Sequence, residues 1–159
     1  MPTSVPRLAR ILFVCMGNIC RSPVAEGVFL HLSRARGVAD LFEVDSAGTG
    51  GWHAGEPPDR RSSQVAAVRG VHLPSVARQV VAADFARFDR LIVMDRTNER
   101  DLLHMGAPRS KVQLLLSFDP ASRAEEVLDP YYGGRDGFES MYTLIDGACR
   151  GLLDAIVQP

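Results

Sequence analysis

The stretch FVCMGNICRSP, Phe13 to Pro23, sets a thiol and an arginine six positions apart on a turn between two different elements. Ile11 to Val14, which leads into it, is a short all-apolar run suited to a strand buried on both faces. Beyond it, Ser22 is placed to cap a helix with Pro23 at its first position, and Ala25, Phe29 and Leu32 continue at helical spacing. A buried strand, a turn containing glycine and asparagine, and a helix form the first half of a βαβ unit.

The rest of the chain continues the alternation. Phe42 to Asp45 reads as a second strand, and Arg61 to Arg69 carries a helical pattern ended by Gly70. RLIVM (Arg90 to Met94) and VQLLL (Val112 to Leu116) are two more apolar strands, with a helix around Asn98 to Met105 between them. Phe138 to Val157 has the pattern of a long amphipathic helix. Strands alternating with helices predict a parallel sheet with right-handed crossovers and helices on both faces. With 159 residues and no repeat or linker, the expectation is one three-layer α/β domain, with about residues 1–9 as a flexible N-terminal extension.

Composition narrows the function classes. The net charge of −1 gives no protein-wide field for nucleic acid or an anionic membrane. No apolar run approaches the ~20 residues needed to span a bilayer, and residues 1–10 lack the apolar core of a signal peptide. Three cysteines, an odd number, argue against an extracellular disulfide framework and for a reducing cytoplasm.

The opening stretch then acquires a chemistry. In open parallel sheets, ligands bind beyond the carboxyl ends of the strands, which is where Cys15 to Ser22 must lie. Successive backbone N–H groups over Met16, Gly17, Asn18, Ile19 and Cys20 can form an anion-binding concavity at a helix N-terminus. Gly17 relaxes the backbone, and Asn18 tolerates a left-handed conformation. Arg21 adds a planar fork for two oxygens of a tetrahedral oxyanion. Cys15 lies at the base, and a thiol beside cations and a helix N-terminus is activated as a nucleophile. Competing motifs fail: a nucleotide loop ends in Gly-Lys-Ser/Thr, the glycine cluster AGTGGWHAG breaks the dinucleotide pattern at His53, and no second cysteine pair completes a zinc site.

CMGNICRSP resembles the signature of the low-molecular-weight protein tyrosine phosphatases. SAGTGGWHAGEPPD (Ser46 to Asp59), ARQ (Ala77 to Gln79), FDRLIVMD (Phe88 to Asp95) and DPYYGG (Asp129 to Gly134) follow in that family's order and spacing. The resemblance implies a four-stranded parallel sheet of order 2-1-3-4 and a phosphocysteine mechanism with no metal or organic cofactor. It makes Cys15 the nucleophile, Arg21 and the loop amides the phosphoryl ligands, Ser22 the hydrogen-bond partner of the leaving thiolate, and Asp129 the general acid. Asn18 and Ser46 would hold the loop, and Trp52, Tyr131 and Tyr132 would wall the substrate ring. The family often carries a histidine near ARQ to support the loop asparagine; here the segment reads LPSVARQ, with Ser75 there and His72 three residues earlier.

The residues agree with those roles. Expelling a tyrosine phenolate near neutral pH needs a proton donor, and Asp129 precedes Pro130 in a glycine- and tyrosine-flanked segment. Aromatic walls also set a depth that a short phosphoserine does not span. The expected partner is a tyrosine-phosphorylated protein, with inorganic phosphate or another oxyanion as product or inhibitor, and neither nucleic acid nor membrane. The alternatives are a thiol-dependent arsenate reductase, a non-catalytic phosphotyrosine-binding module, and a phosphate carrier.

Some residues have two readings. Cys20 fills space or traps an oxidised Cys15 as a disulfide, which would make the enzyme redox-sensitive. Asp95 supports the loop through Arg21 or caps the following helix. His53 lies near the mouth, whereas His31, His72 and His104 read as surface or packing residues. Cys149 reads as core, and Arg123 to Glu126 as a solvated loop.

Overall fold

Strand β1, Ala9–Cys15, buries every residue except Arg10, and this makes it a central strand. A computed structural model describes residues 7–131, 133 and 135–157. The sheet order is β2-β1-β3-β4, with β2 at Phe42–Gly48, β3 at Arg90–Val93 and β4 at Val112–Leu114, all paired in parallel. This is the expected 2-1-3-4 order.

Alternation along β1 divides the core between the two faces of the sheet. Ile11 and Phe13 join Ile92 beneath helices α1 (Arg21–Ala35), α2 (Arg60–Ala67) and α5 (Arg135–Ile156). Leu12 and Val14 join Leu91 and Val93 on the other face, against Phe85 of α3 (Ala82–Arg87) and Leu102 of α4 (Arg96–His104). Each β1 side chain is thus removed from water whichever way it points, which is why the strand carries no polar alternation. Cys149 is fully buried between α5 and α1, as expected of a core residue.

Several boundaries differ from expectation. Helix α1 starts at Arg21 with Cys20 as its N-cap residue, so Ser22 is not the cap. Its hydroxyl is committed elsewhere, and Pro23 still falls within the first turn, where a missing N–H costs nothing. Strand β2 runs three residues beyond Asp45, because β1 pairs with it as far as Gly48. Strand β4 stops at Leu114, and Leu115–Phe118 turn into a 3₁₀ helix. The short α3 was not expected; it starts where the Asp84 carboxylate accepts the Val81 N–H at 2.8 Å. Because β1 begins at Ala9 and the Leu8 N–H bonds the Leu41 carbonyl, the expected extension is shorter than nine residues, and residues 1–6 lie outside the described ones.

Candidate active site

Residues 16–20 form the loop between β1 and α1, and Asn18 takes a left-handed φ of 58° there. Three hydrogen bonds hold this unfavourable conformation. The Asn18 Nδ2 donates to Ser22 Oγ at 2.8 Å and to Ser46 Oγ at 3.0 Å, and Oδ1 accepts the Arg78 backbone N–H at 3.0 Å. Arg78 is itself fixed by ion pairs to Asp45 and Asp84. Among the described residues no histidine takes part. Ser75, at the position in question, has a buried Oγ without a hydrogen-bond partner among the described residues. The loop also crosses closely under β2: a Cβ added to Gly48 would lie 2.7 Å from the Met16 carbonyl oxygen.

Cys15 Sγ lies 3.0 Å from Ser22 Oγ and 3.3 Å from the Asn18 N–H. Ser22 Oγ also accepts the Asn18 amide, which leaves its own proton free to point at the sulfur. The Asn18 N–H donates to the sulfur, and the Ser22 hydroxyl is placed to do the same. At the other end of this chain, Ser46 Oγ donates to Glu26 Oε1 at 2.6 Å. Sequence reasoning missed Glu26. Its place one helical turn after Ser22 was the available signal, but a glutamate on an amphipathic helix normally faces water.

Arg21 is 2% exposed. Its Nη1 donates to Asp95 Oδ2 at 2.6 Å and to the Val127 carbonyl at 2.9 Å, while Nη2 lies 3.7 Å from Asp129 Oδ2. Its Nε finds no acceptor among the described residues, which leaves a buried donor on the guanidinium edge for an oxyanion. Burial works against the charge, but Cys15 and the bonded Asp95 hold the guanidinium pKa above its ordinary value. Asp95 fulfils both of its readings, because its Oδ1 caps α4 by accepting the Asn98 N–H at 2.8 Å.

Asp129 reaches the mouth because its segment is pinned to the end of β3. Val127 N–H donates to the Met94 carbonyl at 2.9 Å, and Glu126 accepts the Arg96 N–H at 2.8 Å. Glu126 is thus a helix-capping group rather than a purely solvated one. Asp129 Oδ1 accepts the Tyr131 N–H at 3.0 Å. The Tyr131 ring sits 6.0 Å from the His53 ring, with the Arg61 guanidinium 5.6 Å from its centroid. Trp52, 74% exposed, lies against Gly50, where an added Cβ would come within 1.8 Å of its ring. His53 bonds Glu56 at 2.6 Å through Nδ1. Tyr132 lies outside the described residues. Together Cys15, Ile19, Arg21, Trp52, Asp129 and Tyr131 line a cavity of about 340 Å³.

Beside the loop, the acids Cys20 and Glu26 have displaced pKa values. Burial, then the negative charges of Asp59, Cys15 and Asp129, push the Cys20 thiol up to about 12. Burial and then Asp45 push the Glu26 carboxyl up to about 7, against the Ser46 hydrogen bond and the Arg78 charge. The folded protein therefore binds the Glu26 proton more tightly than the unfolded chain. That stability is complete below the ordinary pKa of 4.5 and is lost as pH rises through about 7. At 1.36 kcal/mol per pKa unit, the loss between pH 5 and 8 is of order 2–3 kcal/mol. Glu26→Gln keeps an acceptor for Ser46 without a charge, so urea denaturation should show a flatter pH dependence in the variant. Parallel slopes for both proteins would place the displaced carboxyl elsewhere.

Comparison with known proteins covers the same span as this architecture. Residues 10–158 match the sequence model described as low molecular weight phosphotyrosine protein phosphatase. A low molecular weight protein-tyrosine-phosphatase of Streptomyces coelicolor is 45% identical over 152 residues, covering 92% of this chain and 93% of that one. A crystal structure of an Entamoeba histolytica protein tyrosine phosphatase, with Hepes in its active site, superposes with a TM-score of 0.87 at 37% identity, covering 91% of this chain and 94% of that chain. The crystal structure of a Drosophila arginine phosphatase gives 0.85 at 36% identity, covering 91% and 96%.

Proposed function

The chain belongs to the low molecular weight phosphotyrosine protein phosphatase family, and from that premise we propose that it hydrolyses phosphotyrosine in proteins through a phosphocysteine on Cys15. The observation that carries this reading is the placement of Cys15 Sγ within 3.3 Å of the Asn18 N–H and 3.0 Å of the Ser22 hydroxyl, in a cavity that also holds Arg21 and Asp129.

The residues divide the work as follows. The amides of Met16 to Cys20 and the Nε edge of Arg21 bind the phosphoryl oxygens. Cys15 attacks phosphorus, and Asp129 protonates the departing phenolic oxygen. Ser22 donates to the sulfur and stabilises it when the phosphocysteine is cleaved. In the second step Asp129 accepts a proton from the attacking water, and inorganic phosphate leaves. Asn18 and Ser46 keep the loop in shape, and Asp95 aims Arg21. Phosphate and related oxyanions are therefore both products and competitive inhibitors.

Trp52, His53 and Tyr131 surround the entrance with rings that fit a phenyl group. Arsenate reduction would need further thiols to relay a disulfide, but Cys149 is fully buried against α1 and Cys20 is held protonated. A protonated Cys20 also makes a slow partner for an oxidised Cys15, so peroxide inactivation should recover only gradually with reductant. The three free thiols fit a reducing cytoplasm, and no helix among the described residues is long and apolar enough to cross a membrane.

The test is a turnover panel of phosphotyrosine, phosphoserine and phosphoarginine peptides and arsenate. Phosphotyrosine should exceed the other esters by two orders of magnitude or more in kcat/KM, with no arsenate reduction. Faster turnover of phosphoarginine would move the substrate class, and binding without turnover would make the protein a reader of phosphotyrosine.

A further inference from the structure

A second cavity, of about 320 Å³, adjoins the catalytic one and shares Met16 and Trp52 with it. Its remaining lining comes from the loop after β2 (Thr49, Gly50) and from the end of α4 (Asp101, His104, Met105). Met16, Trp52 and Met105 are three of the large apolar side chains that the protein leaves exposed. Two thioethers and an indole make an adaptable apolar wall. Asp101 is half-buried beside that wall, and its carboxylate makes no hydrogen bond or ion pair with any described residue. Nearly every other carboxylate near the mouth is engaged: Asp95 with Arg21, Glu56 with His53, Asp59 with Arg61, and Asp129 with the Tyr131 N–H.

An apolar trough with a single free carboxylate matches one kind of side chain, a long aliphatic stem ending in a cation. The stem would lie on Met16 and Met105, the head would reach Asp101, and the exposed Trp52 ring would add a cation–π contact. Met16 and Trp52 also line the catalytic cavity, so a polypeptide with its phosphotyrosine above Cys15 passes over them, and a flanking side chain enters the trough. We propose that the groove formed by Met16, Trp52, Asp101 and Met105 is a specificity subsite for a lysine or arginine flanking the phosphotyrosine of the substrate polypeptide. The inference rests on the phosphatase reading and deepens it by naming the sequence class of its substrate. An acidic residue at the same place meets Asp101 and is disfavoured.

The experiment compares phosphotyrosine peptides carrying Lys, Ala or Glu at each position from three before to three after the phosphotyrosine. Nitrophenyl phosphate, which has no flanking residue, is the internal control, and Asp101→Asn the variant. At one flanking position Lys should exceed Ala by about fivefold in kcat/KM, mainly through KM, as expected for one half-buried ion pair. Glu should fall below Ala there, and the spread should narrow at high salt. Asp101→Asn should bring the Lys-to-Ala ratio close to one while nitrophenyl phosphate turnover stays at the wild-type value. A flat profile at every position in the wild type, or a lysine preference that survives Asp101→Asn, overturns the subsite. If nitrophenyl phosphate itself is not hydrolysed, the phosphatase reading fails, and the subsite fails with it.

Discussion

Cys15→Ser is expected to abolish hydrolysis of phosphotyrosine peptides and nitrophenyl phosphate alike, with a loss on the order of 10⁵–10⁶ in kcat, the scale seen when a catalytic nucleophile is removed. The reason lies in what surrounds the sulfur. The Ser22 hydroxyl and the Asn18 N–H are the groups in contact with position 15, and neither is basic enough to take a proton from it. An alcohol is far less acidic than a thiol and needs an adjacent base, and none of the described residues in contact with position 15 supplies one. The fold and the phosphate cradle do not depend on the sulfur, since Asn18 is held through Ser22, Ser46 and Arg78. Inorganic phosphate should therefore still raise the melting temperature of the variant. Retention of even a tenth of wild-type turnover would mean that the nucleophile is a different group.

Asp129→Asn should show a loss that depends on the leaving group. Tyrosine's phenol has a pKa of ~10, so its phenolate departs poorly without a proton, whereas a nitrophenolate needs less help. The phosphorylation step should slow by roughly 10²–10⁴ for phosphotyrosine, the range typical of a general acid, and by less for nitrophenyl phosphate. Asparagine keeps an Oδ1 acceptor for the Tyr131 N–H, so the segment should hold its place. The high-pH limb of the kcat profile should flatten, because it reports loss of the acid's proton in the complex. Single-turnover measurements separate this step from hydrolysis of the phosphocysteine. Equal losses on both esters, with an unchanged pH profile, would make Asp129 structural. Its obvious substitutes are poorly placed: both Asp95 oxygens are occupied, and Asp119 accepts the Ala121 N–H and lies against Gly147 of α5.

The parts of this site that were legible in the sequence are those encoded locally. Phe13 to Pro23 carries its strand, turn and helix in adjacent residues, so the loop and its thiol could be read directly. The sheet order and the role of Asp129 came from a family resemblance, because no local pattern says which strands pair or which distant loop returns to β1. Ser22 was misplaced as a helix cap because a serine before a proline looks the same whether its hydroxyl bonds a backbone amide or a neighbouring sulfur. Glu26 and the Arg78 amide were missed for a related reason. The glutamate's burial depends on β2 supplying Ser46, and a backbone N–H leaves no trace in residue identity. Strand β4 was overextended because Leu115 and Leu116 are as apolar in a 3₁₀ turn as in a strand.

The bond from Arg21 Nη1 to the Val127 carbonyl joins residues 106 positions apart. During synthesis the thiol and its loop leave the ribosome early, together with the helix that follows them. The carbonyl that steadies Arg21 and the proposed general acid, Asp129, lie in the last quarter of the chain. Because distant contacts form late and domains fold as units, a nascent or truncated chain should carry the proposed nucleophile without the groups that let it act. On the roles proposed above, catalytic competence is acquired only as that segment docks against Arg21.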